Sequence, residues 1–181
     1  MSDREIGKKE EERDALHPFL KAYALTTGQS PSVVYEDENP DFICARPSGE
    51  PVGIELTKIT RSPANAHWER VLNGKEELDS FEAQELIHDL LSRKETDRAI
   101  RYSSRVEKCI LVFQLVDGSL EQVRHALDGA GEDFTNHGFA EVWIADYWGL
   151  EAFGDIELFG LYPDEYWGLH PRANPDRKPY G

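Results

Sequence analysis

Cysteine, positive charge and long apolar runs are all scarce in this chain. Cys44 and Cys109 are its two cysteines. They form no Cys-x-x-Cys pair and have no histidines at zinc spacing, which excludes a disulfide scaffold or a zinc finger. Both sit in strand-like apolar runs, where a free cysteine serves as a small buried hydrophobe. No run approaches the roughly 18 apolar residues of a membrane span, and no signal-peptide pattern opens the chain. The expectation is a soluble, cytoplasmic protein without a membrane partner. Walker loops, Gly-x-Ser-x-Gly elbows and dinucleotide fingerprints are missing too, so those nucleotide and hydrolase classes drop out. Twenty Lys and Arg face 35 Asp and Glu, a formal charge of −15. Nucleic-acid binders usually carry a basic footprint, so this balance speaks against a broad grip on a duplex.

What is present suits one domain: 181 residues bury roughly 70% of their unfolded surface. We read residues 1–168 as that domain and 169–181, polar and Pro-rich, as a tail. The organising stretch is Glu36 to Lys58. Pro47-Ser48-Gly49-Glu50-Pro51 is turn chemistry between two runs of period-2 alternation, so the stretch reads as a hairpin. A turn centred on Ser48 pairs Phe42 with Ile54 and Cys44 with Val52, with Leu56 continuing that apolar face. The other face then sets Asp41 against Glu55, Cβ atoms roughly 5 Å apart, with Thr57 two residues on. Opposed carboxylates call for a cation or a shared proton. A solvated sheet face is the alternative.

Before the hairpin, Asp3 to Leu25 reads as a helix with a stripe of Leu16, Phe19, Leu20, Tyr23 and Ala24. Pro18 predicts a kink or two helices, and Gly28 a stop. Ser32 to Glu36 is a strand, and Glu36 a weak third carboxylate. A helix is expected around Ala66 to Leu72. His67 within it has no second ligand at helical spacing. Ser80 opens a long helix with a stripe of Ala83, Leu86, Ile87, Leu90 and Leu91, which Lys94, Arg98 and Tyr102 extend. Lys94 falls near the centre of the apolar arc. It either meets an acid on the sheet, Asp41 or Glu55, or snorkels to water. Lys108 to Val116 reads as a strand buried on both faces, Leu120 to Leu127 as a short helix, and Phe139 to Tyr147 and Ile156 to Tyr162 as strands. The aromatic-rich end, from Trp143 to Trp167, is either a satellite core or a base-stacking surface.

Asn-Pro-Asp-Phe, a glycine turn, then Val-Gly-Ile-Glu-Leu-Thr resembles the core of the PD-(D/E)XK nuclease superfamily. The resemblance implies an α/β fold of restriction-endonuclease-like type: an αβββαβ core with a mixed central sheet flanked by helices. It further implies that Asp41 and Glu55 bind a catalytic Mg²⁺ or Mn²⁺, with DNA or RNA as the substrate. The family's lysine position holds Thr57, and Lys58, one residue late, leaves on the opposite face. In some members the basic residue has moved to the following helix, at a spacing that resembles Lys94. An N-terminal helix in that family often brings another glutamate to the metal; the run Glu10-Glu11-Glu12 either offers Glu12 for that place or is a solvated face. Two functions are open: a metal-dependent nuclease, or an inactive relative whose acidic surface engages a basic protein partner.

Overall fold

The computed structural model describes residues 3–59, 80–101, 106–116 and 138–172, together with Leu120, Arg124 and Leu127. The helix expected around Ala66 to Leu72, with His67, lies outside them, as does most of the helix expected over Leu120 to Leu127. Leu120 and Leu127 themselves are helical and fully buried.

Helix α1 (Asp3–Thr27) is one helix, where the sequence predicted a break or kink at Pro18. The proline ring removes one backbone hydrogen bond. Leu16, Phe19 and Tyr23 flank it and are all buried, and each apolar side chain so buried stabilises by roughly 1.5–3 kcal/mol. Packing therefore outweighs the local defect. Gly28 ends the helix as expected, at φ +71°, its N–H donating to the Ala24 carbonyl at 2.9 Å.

Strands β1 (Ser32–Glu36), β2 (Phe42–Ala45) and β3 (Pro51–Ile59) form an antiparallel meander. The hairpin register is the one that alternation dictates, with Phe42 opposite Ile54 and Cys44 opposite Val52. Helix α2 (Ser80–Arg101) then carries the chain to β4 (Cys109–Leu115), parallel to β3, and β5 (Glu141–Asp146) lies parallel to β4. Every residue of β4 and β5 is buried, as a central parallel strand covered on both faces requires. A short helix α3 (Leu150–Phe153) precedes β6 (Leu158–Tyr162) and β7 (Gly168–His170), both antiparallel to their neighbours. The result is an α/β fold with a seven-stranded mixed sheet in the order β1 to β7. Leu169 and His170 belong to this sheet, which thus runs into the segment expected to be a tail.

The two sheet faces carry separate cores. On one, Leu16, Phe19 and Tyr23 of α1 meet Phe42, Ile54, Leu56, Val112 and Trp143. On the other, Leu91 of α2 meets Ile59, Leu111, Phe113 and Ile144. Side-chain alternation along β3 therefore sends Leu56 and Lys58 toward the α1 side, and Glu55, Thr57 and Ile59 toward the α2 side. Of the aromatic end, Trp143 and Phe159 are core, while Trp148 is 59% exposed. Trp143 is fully buried and packs against Tyr23 at 5.8 Å and Tyr166 at 5.2 Å between ring centroids. Phe159 stacks edge-on to Trp167 at 5.4 Å.

Candidate active site

One cleft gathers the residues that the hairpin singled out. Its volume is about 400 Å³. It opens beside the carboxyl-terminal halves of β3 and β4, the end at which open α/β sheets bind their ligands. Helix α1 contributes Lys8, Glu11 and Glu12, and the β1–β2 connection Glu38 and Asp41. Strand β3 adds Glu55, Thr57 and Lys58, α2 adds Lys94 and Asp97, and β4 adds Gln114.

Asp41 and Glu55 are both buried, each 7% exposed. The Leu56 N–H donates to Asp41 Oδ2 at 2.8 Å, fixing the Asp41 carboxyl against β3. Burial, and next the charge of Glu55, push the Asp41 carboxyl up to about 7, against the downward pull of the Leu56 N–H. Asp41 is placed by a close approach. Pro40, next to it, packs on Gly53, where a Cβ would lie 2.5 Å from the Pro40 ring and 3.3 Å from Cys109 Sγ. Only glycine leaves that room.

Of the two fates open to Lys94, the structure takes the acid on the sheet. Lys94 Nζ donates to Glu55 Oε1 at 2.9 Å, with its side chain 24% exposed and that of Glu55 9%. The other carboxylate oxygen, Glu55 Oε2, is buried with no hydrogen-bond partner, and so is Thr57 Oγ1. Buried polar oxygens without partners are costly and few in folded proteins. Two of the six buried side-chain atoms without a hydrogen-bond partner among the described residues lie together here, beside a buried aspartate.

The remaining acids divide. Glu12 lines the cleft, receives Lys8 Nζ at 3.0 Å and adds to the upward push on Asp41. Glu36 does not line it; its carboxylate is held by the Arg13 guanidinium, with Arg13 Nη2 to Oε2 at 2.8 Å. Lys58 is on the α1 side, as its place after Thr57 requires, and pairs with Glu11 at 2.8 Å. Lys8, Glu38, Asp97 and Gln114 went unnoticed in the sequence. Lys8 alone had a local signal, its i, i+4 spacing to Glu12. Among the described residues, no three of His, Cys, Asp and Glu converge closely enough to chelate an ion by themselves.

At the other end of the sheet a polar network does structural work. Arg46 Nη2 donates to Glu141 Oε1 at 2.6 Å, and the same oxygen accepts from the Tyr23 hydroxyl at 3.0 Å. Trp143 Nε1 donates to Glu141 Oε2 at 3.0 Å. Both Glu141 carboxylate oxygens are thus satisfied, as a buried ion pair demands. The pair borders a second, wider cleft of about 720 Å³, lined also by Gln29, Lys108 and Tyr166.

Compared with protein-family models, curated proteins and solved structures, the chain matches none.

Proposed function

We propose that the cleft is the active site of a metal-dependent phosphodiesterase of the PD-(D/E)XK nuclease type, on a restriction-endonuclease-like core. The observation that carries this reading is the contact of Lys94 with Glu55. A cation arrives from the following helix beside the two acids, where the hairpin itself supplies only Thr57. The element order α1, β1–β3, α2, β4 and β5, with its antiparallel meander and parallel β3–β4 pair, supports the αβββαβ core.

The donor set fits a hard divalent cation, Mg²⁺ or Mn²⁺. Asp41 and Glu55 would hold it. The unpartnered Glu55 Oε2 supplies a free hard oxygen, and a cation would offset the burial and the Glu55 charge that together push the Asp41 carboxyl up. Two protein carboxylates are enough for Mg²⁺, which keeps several waters and takes phosphate oxygens for the rest. Bound there, the ion would polarise the scissile phosphate and lower the pKa of a coordinated water. Lys94 holds the Glu55 carboxylate in place and has further N–H donors with which to orient the attacking water. The Thr57 hydroxyl, free of other bonds, is a second group for that water.

A second reading has its own observation. Six carboxylates against three lysines line the cleft, in a chain of net charge −15. A catalytically inactive relative would use that surface to engage a basic protein partner.

Calorimetric titration of Mg²⁺ and Mn²⁺, run beside cleavage assays on DNA and RNA, separates the two. For the enzyme, Asp41→Asn loses both metal binding and cleavage. Lys94→Ala retains metal binding while turnover falls about a hundredfold or more. Unchanged turnover in Lys94→Ala would remove Lys94 from the mechanism. Absence of metal binding and cleavage in the wild type would leave the inactive module.

A further inference from the structure

Resting on the phosphodiesterase reading, we infer that the substrate is a small phosphodiester of one or two nucleotide units rather than a nucleic-acid polymer. The inference comes from the charge and size of the cleft. Among the described residues its lining carries Lys8, Lys58 and Lys94 against six carboxylates, a formal balance of −3. Two of these lysines are already committed to carboxylates beside them that are not metal-site acids: Lys8 to Glu12 at 3.0 Å and Lys58 to Glu11 at 2.8 Å. Lys94 is committed to Glu55.

One divalent ion would bring that balance only to −1. A duplex carries about one negative charge per 1.7 Å of its axis. Screening in physiological salt reaches roughly 8 Å, so a duplex lying across the cleft would set about ten phosphates against this lining. A diester of one or two units brings only one or two charges, so the repulsion it meets from the remaining −1 is a small fraction of that met by a duplex. The whole chain gives no relief, since 35 acids to 20 Lys and Arg leave a repulsive field for any polyanion. Size points the same way. At about 400 Å³ the cleft falls toward the lower end of small-molecule sites, roughly 300–1,000 Å³.

The chemistry is hydrolysis. A water oxygen forms a new bond to phosphorus, the P–O bond to one alcohol breaks, and that oxygen takes a proton. One water is added and nothing is oxidised or reduced.

The test compares thymidylyl-thymidine, a thymidine oligonucleotide and a duplex containing the same strand, with Mn²⁺, over a series of salt concentrations. Glu55→Gln is the metal-site control. The expected result is hydrolysis of the dinucleotide, lost in Glu55→Gln, with kcat/KM per bond at least about tenfold above either polymer and only weakly dependent on salt. Polymer cleavage that equals or exceeds this rate and falls steeply with salt would overturn the inference while sustaining the phosphodiesterase. No metal-dependent hydrolysis of any of the three would overturn the phosphodiesterase reading itself.

Discussion

Asp41 is a carboxyl group held where its charge is unwelcome. Its proton affinity is raised by burial and by Glu55, from an ordinary value of 3.8 to about 7. Between those two values the folded protein binds the Asp41 proton and the unfolded chain does not. The stability this group contributes is therefore complete below about pH 4 and is lost as the pH rises through 7. Above 7 the ionised carboxylate is a burden on the fold. Asp41→Asn keeps an oxygen for the Leu56 N–H and has no charge to bury. In metal-free protein at pH 8 the variant is expected to be more stable than the wild type by about 1–3 kcal/mol, below the roughly 4 kcal/mol that three pKa units represent. That advantage should shrink toward pH 4. Denaturant unfolding at the two pH values measures it, and a variant less stable than the wild type at pH 8 would show that Asp41 is held as a favourable ion. On the proposed function the same substitution would cost activity while gaining stability, the exchange found where a site is built against the interests of the fold.

At the scale of elements, the site depends on how closely the β1–β2 connection lies on β3. Gly53 is the point of contact, with Pro40 where its Cβ would be. Gly53→Ala must push the Pro40 turn outward or force β3 away from Cys109. We expect a loss of about 1–3 kcal/mol, as for other overpacked cores. If the cleft binds a metal as proposed, its affinity should weaken as well, because Asp41 follows Pro40 directly. Thermal unfolding and the calorimetric titration read the two effects; unaltered metal binding would mean that Asp41 is positioned by its Leu56 hydrogen bond alone. Much of this arrangement was legible in the sequence because it is local. Alternation on both sides of Pro47–Pro51 sets the register, and the register opposes Asp41 to Glu55. It also turns Lys58 away, and the stripe of α2 aims Lys94 inward. Other features carry no local pattern. Helix α3 and strand β7 are too short, at four and three residues, to show a period. The Arg46–Glu141 pair joins positions 95 residues apart. Glu12 and Lys8 reach the cleft only because α1 continues through Pro18, and that continuity is decided by the burial of Phe19 and Tyr23.

For the molecule as a whole, the net charge of −15 acts on stability through self-repulsion, which the compact state feels more than the expanded one. Added salt shortens the range of that repulsion from roughly 30 Å at 0.01 M to about 8 Å at 0.15 M. Stability should therefore rise with NaCl. A gain of about 1 kcal/mol would raise the melting midpoint by roughly 2–4 °C in a chain of this length. Magnesium adds a second, local term if it binds at Asp41 and Glu55, because a ligand that prefers the folded state stabilises it by mass action. The two terms separate at equal ionic strength. Wild-type protein should melt higher in MgCl₂ than in NaCl, and Asp41→Asn should show no such difference while keeping the general rise with salt. A magnesium increment of equal size in both proteins would assign it to diffuse attraction by the acidic surface. A midpoint that falls with NaCl would mean that the ion pairs bridging α1 to the sheet, Lys58 with Glu11 and Arg13 with Glu36, contribute more than the repulsion they sit within.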